Sequence, residues 1–335
     1  MKKTLKIIFR IFIVCFTAGV FGVSFMFGVL KSIHYGPSVA ARNIFVSTVM
    51  ETYNGRFLAQ WFLSDEEIEK ITQGIGRVDF APDEENSDDI PPVSEVVTEI
   101  PEEKRPEIEL VNISGSTYNG KMLIIADPSR VSVVTSQPFQ ENGKGMKLKE
   151  LAESSNSVAA INGGAYADNG GDMPMGVVIS NGEILFCGDE TRAYTIVGFN
   201  SDNKLIVDKM TADDAISMGL RDAISFSPIL IKDGQPTNVS GFSLGLNPRT
   251  AIGQRADGAV LLLVIDGRQS QSLGATYQDL IDVMVKYGAV NACNLDGGSS
   301  SLMVYEGEIV TKCCSLYGPG RIPTCFAVSE VPDVE

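Results

Sequence analysis

Three short segments carry side chains whose types and spacing could do chemistry. The first is Asn162-Gly163-Gly164, at the end of the apolar run Val158–Ile161. Paired glycines there permit unusual backbone angles and a close approach to a ligand, or make an ordinary turn. The second joins Arg249-Thr250 to Asp266-Gly267-Arg268, where the apolar run Val260–Ile265 stops. A carboxylate and a guanidinium at the end of a core strand are a common arrangement for a site in an α/β sheet. Arginine suits phosphate because its planar fork binds two oxygens at once. The third is Asn294-Leu295-Asp296-Gly297-Gly298-Ser299-Ser300, again a strand running into an acid, two glycines and hydroxyls. Backbone amides of such a loop can cradle an anion. Taken singly, the first could also be an ordinary turn, the second an Asp-Gly turn with a surface Arg, and the third a flexible turn.

Other chemistries fall away. His34 is the only histidine and lies beside the most apolar stretch of the chain, so mechanisms with a histidine base have no candidate. Gly241-Phe242-Ser243-Leu244-Gly245 matches a nucleophile elbow in letters, but that elbow needs a later histidine, and none follows. Cysteine–histidine catalysis and Cys/His zinc sites fail for the same reason. No P-loop or dinucleotide fingerprint occurs. No cofactor is required, and no EF-hand-like spacing supports Ca²⁺ or Mg²⁺. The 27 basic against 42 acidic residues, net charge −15, argue against non-specific nucleic-acid binding. Of that charge, −9 lies between residues 81 and 110, leaving −6 for everything else.

In order, Asn-Gly-Gly, Asn247-Pro248-Arg249-Thr250-Ala251-Ile252-Gly253, Asp-Gly-Arg and Leu-Asp-Gly-Gly-Ser-Ser make a far more specific pattern than any one segment. With Phe226-Ser227-Pro228-Ile229-Leu230, this pattern resembles the phosphodiester glycosidase family over roughly residues 110–330. Tyr166 stands where Phe is frequent, and Ser299 where a third glycine is common. The resemblance implies hydrolysis of the bond between a sugar's anomeric carbon and a phosphodiester oxygen. It implies Asp266, Asp296, Arg249 and Arg268 as catalytic groups. Asn162, Gly163, Gly164, Thr250, Asn294, Gly297, Gly298, Ser299 and Ser300 would line the substrate. The residues suit that reaction, because a leaving phosphate is a weak base and needs little protonation. The main demands are charge stabilisation of phosphate and of an oxocarbenium-like sugar. A carboxylate separation of about 5–5.5 Å would favour retention and about 6.5–9.5 Å inversion. The competing readings are a non-catalytic module binding phosphate-containing wall glycans, and a phosphodiesterase cutting the P–O bond.

The elements that must position these residues read as a strand-rich mixed α/β fold, a single phosphodiester-glycosidase-like domain behind an amino-terminal transmembrane helix. Short β-rich runs are expected at 122–125, 131–134, 158–161, 176–179, 195–199, 260–265, 291–295, 301–305 and 323–328. Asn181-Gly182, Asp233-Gly234, Asp257-Gly258 and Glu306-Gly307 supply turns. Helices are expected at Leu148–Ser154 and Thr276–Tyr287, the latter opened by Thr276 with Asp279, showing one apolar face of Leu280, Val283, Met284 and Tyr287, and closed by Gly288. The domain is assigned to 108–331.

Before it, Ile11–Leu30 carries no charged residue, and twenty residues of helix cover about 30 Å, the thickness of a bilayer core. Lys2, Lys3, Lys6 and Arg10 precede it, which keeps the tip cytoplasmic and sends the rest across. The run exceeds a usual signal core, so residues 1–30 read as tip and uncleaved anchor rather than a cleaved leader. Residues 31–80 read as a helical stalk, with Ser64 and Glu67 forming a capping box and Phe57, Trp61 and Phe62 packing on the membrane interface or the main domain. The acidic, proline-rich 81–107 reads as an extended or disordered linker. The expected place is the cell membrane, single-pass, with the carboxy-terminal domain outside. The expected partners are a carbohydrate phosphodiester and the membrane, with no nucleic acid; nothing in the sequence fixes an oligomeric state. A disulfide from Cys313 or Cys314 to Cys325 is one pairing an oxidising compartment would allow.

Overall fold

The structure is a computed structural model and describes residues 2–50, 52, 55–72, 107–139, 145–167, 173–239, 245–315 and 317–330. The proposed linker 81–107 lies outside them save for Glu107, as do Gly241–Leu244 of the elbow-like segment. The described residues fall into a helical unit at the amino terminus and a strand-rich unit after it.

The helical unit begins with α1 (Lys2–Tyr35), in which Phe9–Tyr35 is long and apolar enough to cross a membrane. Pro37 follows it, and α2 (Val39–Met50), α3 (Phe57–Gln60) and α4 (Asp65–Thr72) complete the unit. The Ser64 capping box forms as read: Ser64 Oγ accepts the Glu67 N–H at 3.3 Å, and Glu67 Oε2 accepts the Ser64 N–H at 2.9 Å. A small core holds Val46, Val49, Ala59, Leu63 and Ile68. The expected aromatic cluster splits. Phe62 turns inward and stacks on His34, centroids 4.8 Å apart, while Trp61 stays exposed. His34 is buried with Nε2 on the Leu58 carbonyl at 3.1 Å, a packing role within this unit.

The second unit contains seventeen strands among its described residues, all paired antiparallel. In order they are β1 (Ile108–Ser114), β2 (Asn119–Ile125), β3 (Val131–Thr135), β4 (Ser157–Asn162), β5 (Val177–Ser180), β6 (Glu183–Cys187), β7 (Tyr194–Asn200), β8 (Leu205–Met210), β9 (Leu220–Ser225), β10 (Ile229–Lys232), β11 (Gln235–Pro236), β12 (Arg249–Arg255), β13 (Val260–Ile265), β14 (Ala289–Leu295), β15 (Met303–Tyr305), β16 (Glu308–Ile309) and β17 (Thr324–Ser329). Helices α5 (Leu148–Ser154), α6 (Ala212–Ser217) and α7 (Tyr277–Lys286) are interspersed.

The strands form three sheets: β1-β2-β13-β12-β14-β10-β11, β16-β15-β4-β17-β3, and β6-β5-β9-β7-β8. One core cluster unites all three through Leu262, Leu295, Ile161, Phe326, Phe199 and Ile224 among others. Helix α7 covers the other face of the large sheet with Leu280, Ile281, Val283 and Met284, and Gly288 at φ +78° ends it. Every expected strand exists. The expected runs do not include β1, β6, β8, β9, β10, β11, β12 and β16. Of these β12 matters most, because it is buried along nearly its whole length between β13 and β14 although it carries the polar Arg249, Thr250, Gln254 and Arg255.

The six cysteines are free thiols, so the pairing of Cys313 or Cys314 with Cys325 does not occur here. Cys325 is wholly buried in β17, and burial pushes its thiol up to about 12.

Candidate active site

Register brings the singled-out residues to one end of the large sheet. Strand β12 runs opposite to both neighbours, with Arg249 beside Ile265, and Thr250 beside Val264 and Leu295. The amino end of β12 therefore meets the carboxyl ends of β13 and β14, from which Asp266 and Asp296 emerge. Antiparallel pairing is the source of this convergence.

Asn162, at the end of β4 in the second sheet, ties the large sheet to it. Its Nδ2 donates to the Asp296 carbonyl at 2.6 Å. Its Oδ1 accepts from Thr250 Oγ1 at 2.8 Å and from the Leu302 N–H at 3.1 Å. The side chain is 1% exposed, and Thr250 is wholly buried. Both residues, expected to line the substrate, are buried and bonded to each other between the two sheets.

The two glycines after Asn162 also act differently from the expectation. Neither adopts positive φ. A Cβ on Gly163 would lie 2.5 Å from Thr324 Oγ1, and one on Gly164 2.9 Å from the Ser225 carbonyl oxygen. Close packing of the protein's own backbone requires them. The Gly163 N–H donates to the Thr324 carbonyl at 3.0 Å, and its carbonyl accepts the Asp296 N–H at 3.1 Å.

Arg249 is 4% exposed, with Nε donating to the Ala275 carbonyl at 3.2 Å and its guanidinium 4.0 Å from the Tyr277 ring centroid. Tyr277 opens α7, whose first turn is fixed by the predicted cap: Asp279 Oδ2 accepts the Thr276 N–H at 2.8 Å and Thr276 Oγ1 accepts the Asp279 N–H at 3.2 Å. Arg268 contrasts with it. It is exposed and sits at φ +56°, a left-handed conformation that a non-glycine residue holds only where its surroundings over-determine it. Its Nη2 donates to Asn247 Oδ1 at 2.9 Å, and its guanidinium lies over Gly298, 3.5 Å from where a Cβ would be.

Asp266 is half-buried. Its Oδ1 accepts the Lys312 N–H at 2.8 Å. Burial holds its carboxyl above the usual carboxylate range, against the pull of that hydrogen bond and of the Lys312 and Lys121 charges. Asp296 starts a loop in which the Gly298 N–H donates to the Pro248 carbonyl at 2.9 Å and Gly298 adopts φ +62°. Gly297 is half-buried in that loop, Ser299 is exposed, and Ser300 is buried with Oγ 2.9 Å from the Tyr166 hydroxyl. Asn294 is 1% exposed and donates Nδ2 to the Ser227 carbonyl at 2.9 Å, while its Oδ1 has no hydrogen-bond partner.

Asn247, Tyr277 and Lys312 hold three of the four charged groups, and sequence reasoning assigned none of them. Asn247 stood inside the quoted motif; Tyr277 and Lys312 had no signal. Among the described residues no group of three or more His, Cys, Asp or Glu side chains gathers to hold a metal ion.

A strand-rich α/β domain with paired acids and arginines at one sheet end is the class of protein this fold and site define. Comparison with known proteins makes it specific. Residues 155–329 match the family described as phosphodiester glycosidase, and the chain belongs to that family. It is 34% identical over 172 residues to the SPbeta prophage-derived uncharacterized protein YomE of Bacillus subtilis, covering 48% of this chain and 26% of that protein. It is 25% identical over 182 residues to human N-acetylglucosamine-1-phosphodiester alpha-N-acetylglucosaminidase, covering 49% of this chain and 35% of that protein. The chain thus spans well under half the length of either. Its fold is similar to the catalytic domain of the zebrafish enzyme of that name, solved auto-inhibited by its pro-peptide. The TM-score is 0.57 at 22% identity, covering 68% of this chain and 85% of that one.

Proposed function

We propose that this protein is a hydrolase cleaving the bond between a sugar's anomeric carbon and the oxygen of a phosphodiester. The observation that carries the reading is the meeting of Arg249, Arg268, Asp266 and Asp296 at one end of the large sheet, within a domain of the phosphodiester glycosidase family. Arg268, exposed above the Gly297-Gly298 loop, clamps the phosphate. Arg249, immobilised on Tyr277, presents fixed positive charge below it. Pre-set charge of this kind costs no reorganisation as the leaving phosphate gains charge. Asp266 and Asp296 supply between them the nucleophile or base and the stabilisation of the oxocarbenium-like sugar. Ser299 reaches a sugar hydroxyl or a phosphate oxygen and the unpartnered Oδ1 of Asn294 accepts from a sugar hydroxyl, while Asn162, Thr250 and Ser300 hold the loop that carries Asp296.

The human relative's name specifies N-acetylglucosamine-1-phosphodiester. For this chain the proposed substrate class is a sugar-1-phosphodiester in a cell-surface or exopolysaccharide glycan. The length of the apolar span in α1 and the basic residues at the amino end of that helix support a single-pass anchor with the strand-rich domain outside the cell. Turnover of a synthetic sugar-1-phosphodiester by the wild type, with a loss of about a hundredfold or more in Asp296→Asn and in Arg268→Ala, is the expected result. Full activity in both folded variants overturns the assignment.

A further inference from the structure

Cys313 and Cys314 are adjacent, free and each partly exposed, in an irregular segment between β16 and β17. That segment lies against the candidate site at several points. The Lys312 N–H holds Asp266 Oδ1 at 2.8 Å, and Gln269 Nε2 donates to the Lys312 carbonyl at 3.2 Å. The Cys313 thiol donates to the Ser299 carbonyl oxygen at 3.9 Å and accepts the Ser315 N–H at 3.4 Å. Burial pushes the Cys314 thiol up, while the Arg268 guanidinium, which hydrogen-bonds it, pulls it back down. Three residues in a row thus touch Asp266, Ser299 and Arg268. The other two cysteines of this unit's interior differ: Cys293 and Cys325 are wholly buried, and burial raises both thiols.

We propose that Cys313 and Cys314 form a redox-modifiable dithiol at the rim of the candidate site, closed to a disulfide by low-molecular-weight disulfides and reopened by thiols. One thiolate attacks R–S–S–R, forming a mixed disulfide and releasing R–S⁻. The neighbouring thiolate then displaces the second R–S⁻, so two protein thiols are oxidised and one R–S–S–R is reduced to two R–SH. Adjacent Cα atoms lie about 3.8 Å apart, below the roughly 4.4–6.8 Å usual for a disulfide. The bridge is therefore strained and easily reduced, as suits a reversible modification. The lack of regular structure around 312–315 lets the backbone accommodate it. Closure withdraws the sulfurs from Ser299 and Arg268 and shifts Lys312 from Asp266. The consequence for catalysis rests on the proposed function; the modification itself does not.

The test uses the detergent-solubilised full chain incubated with oxidised glutathione, then mapped by non-reducing peptide mass spectrometry. The expected result is a Cys313–Cys314 link, reversed by dithiothreitol and absent in Cys313→Ser and Cys314→Ser. The arsenical phenylarsine oxide, which bridges close thiols, should bind the wild type in a 1:1 complex at this pair and neither variant. Thiols that stay free, or a link to Cys325 or Cys187, overturn the proposal. Turnover should fall about tenfold on oxidation, the loss expected when a hydrogen bond to a charged group is broken, and recover on reduction. A closed link with unchanged turnover refutes its coupling to the site. A chain that closes the link yet hydrolyses no sugar-1-phosphodiester in either state refutes the proposed function and leaves the modification site standing.

Discussion

Asn162→Ala should damage the protein through loosening, with no contact to substrate required. The side chain makes three hydrogen bonds, to the Asp296 carbonyl at 2.6 Å, Thr250 Oγ1 at 2.8 Å and the Leu302 N–H at 3.1 Å. At about 1 kcal/mol net for each, their loss costs about 3 kcal/mol. The Leu302 N–H and the Asp296 carbonyl are then left without these partners in a buried place, which adds about 1 kcal/mol or more. The sum of about 4 kcal/mol is a large share of the roughly 5–15 kcal/mol that stabilises a typical domain. In urea, with a slope of about 3 kcal/mol per molar for a domain of this size, the midpoint should fall by about 1.3 M. Thr250→Val removes one of the three bonds and should shift it by about 0.3 M. Unfolding of the strand-rich unit, followed by the circular dichroism of its sheets, reads both. Equal, small shifts for the two variants would show that Asn162 is no brace and return it to the substrate.

Further predictions follow from neighbouring contacts. Burial raises the Asp266 carboxyl, so the ionised form costs folding stability, and that cost grows as pH rises from the unfolded value through the raised folded one. Asp266→Asn should therefore flatten the loss of stability with rising pH in that window while abolishing turnover; an unchanged pH–stability curve refutes it. In the wild type, if the ionised form is the working one, the acid limb of kcat/KM should lie above the range of an ordinary Asp, and a limb at the ordinary value counts against this role. Tyr277→Leu removes the ring beneath Arg249 and should raise KM more than it lowers kcat, a split steady-state kinetics would show; unchanged kinetics contradict the stacking role. Gly163→Ala forces a methyl to 2.5 Å from Thr324 Oγ1 and should destabilise by about 1–3 kcal/mol, measured in the same urea assay; a neutral effect would show that the β4–β17 junction is slack.

What the sequence revealed and what it hid follow from local against non-local causes. Strand β13 is six apolar residues in a row and announces a buried strand, and α7 carries its own cap, face and terminating glycine. Strand β12 starts with Arg249 and holds Gly253 and Gln254, so its burial depends on the two strands that flank it, which no local pattern encodes. Asp266 and Asp296 stood out in the sequence because each directly follows a largely apolar strand, β13 or β14. The hydrogen bonds of Asn162 and Gly164 to Thr250, Asp296 and Thr324 could not be read locally, because those partners lie 88, 134 and 160 positions away in the chain. Tyr277 and Lys312 were missed for a related reason: one acts through its ring face and the other through its backbone N–H, and neither is visible as a residue type with catalytic chemistry.

The most direct measurement of the central claim is hydrolysis of a sugar-1-phosphodiester in water enriched in heavy oxygen, with both products weighed by mass spectrometry. The account predicts label in the sugar, at the anomeric hydroxyl, and none in the phosphate. Label in the phosphate would mean that the P–O bond is cut, and an absence of turnover alongside tight binding would mean a module that only holds phosphoglycans; either contradicts it.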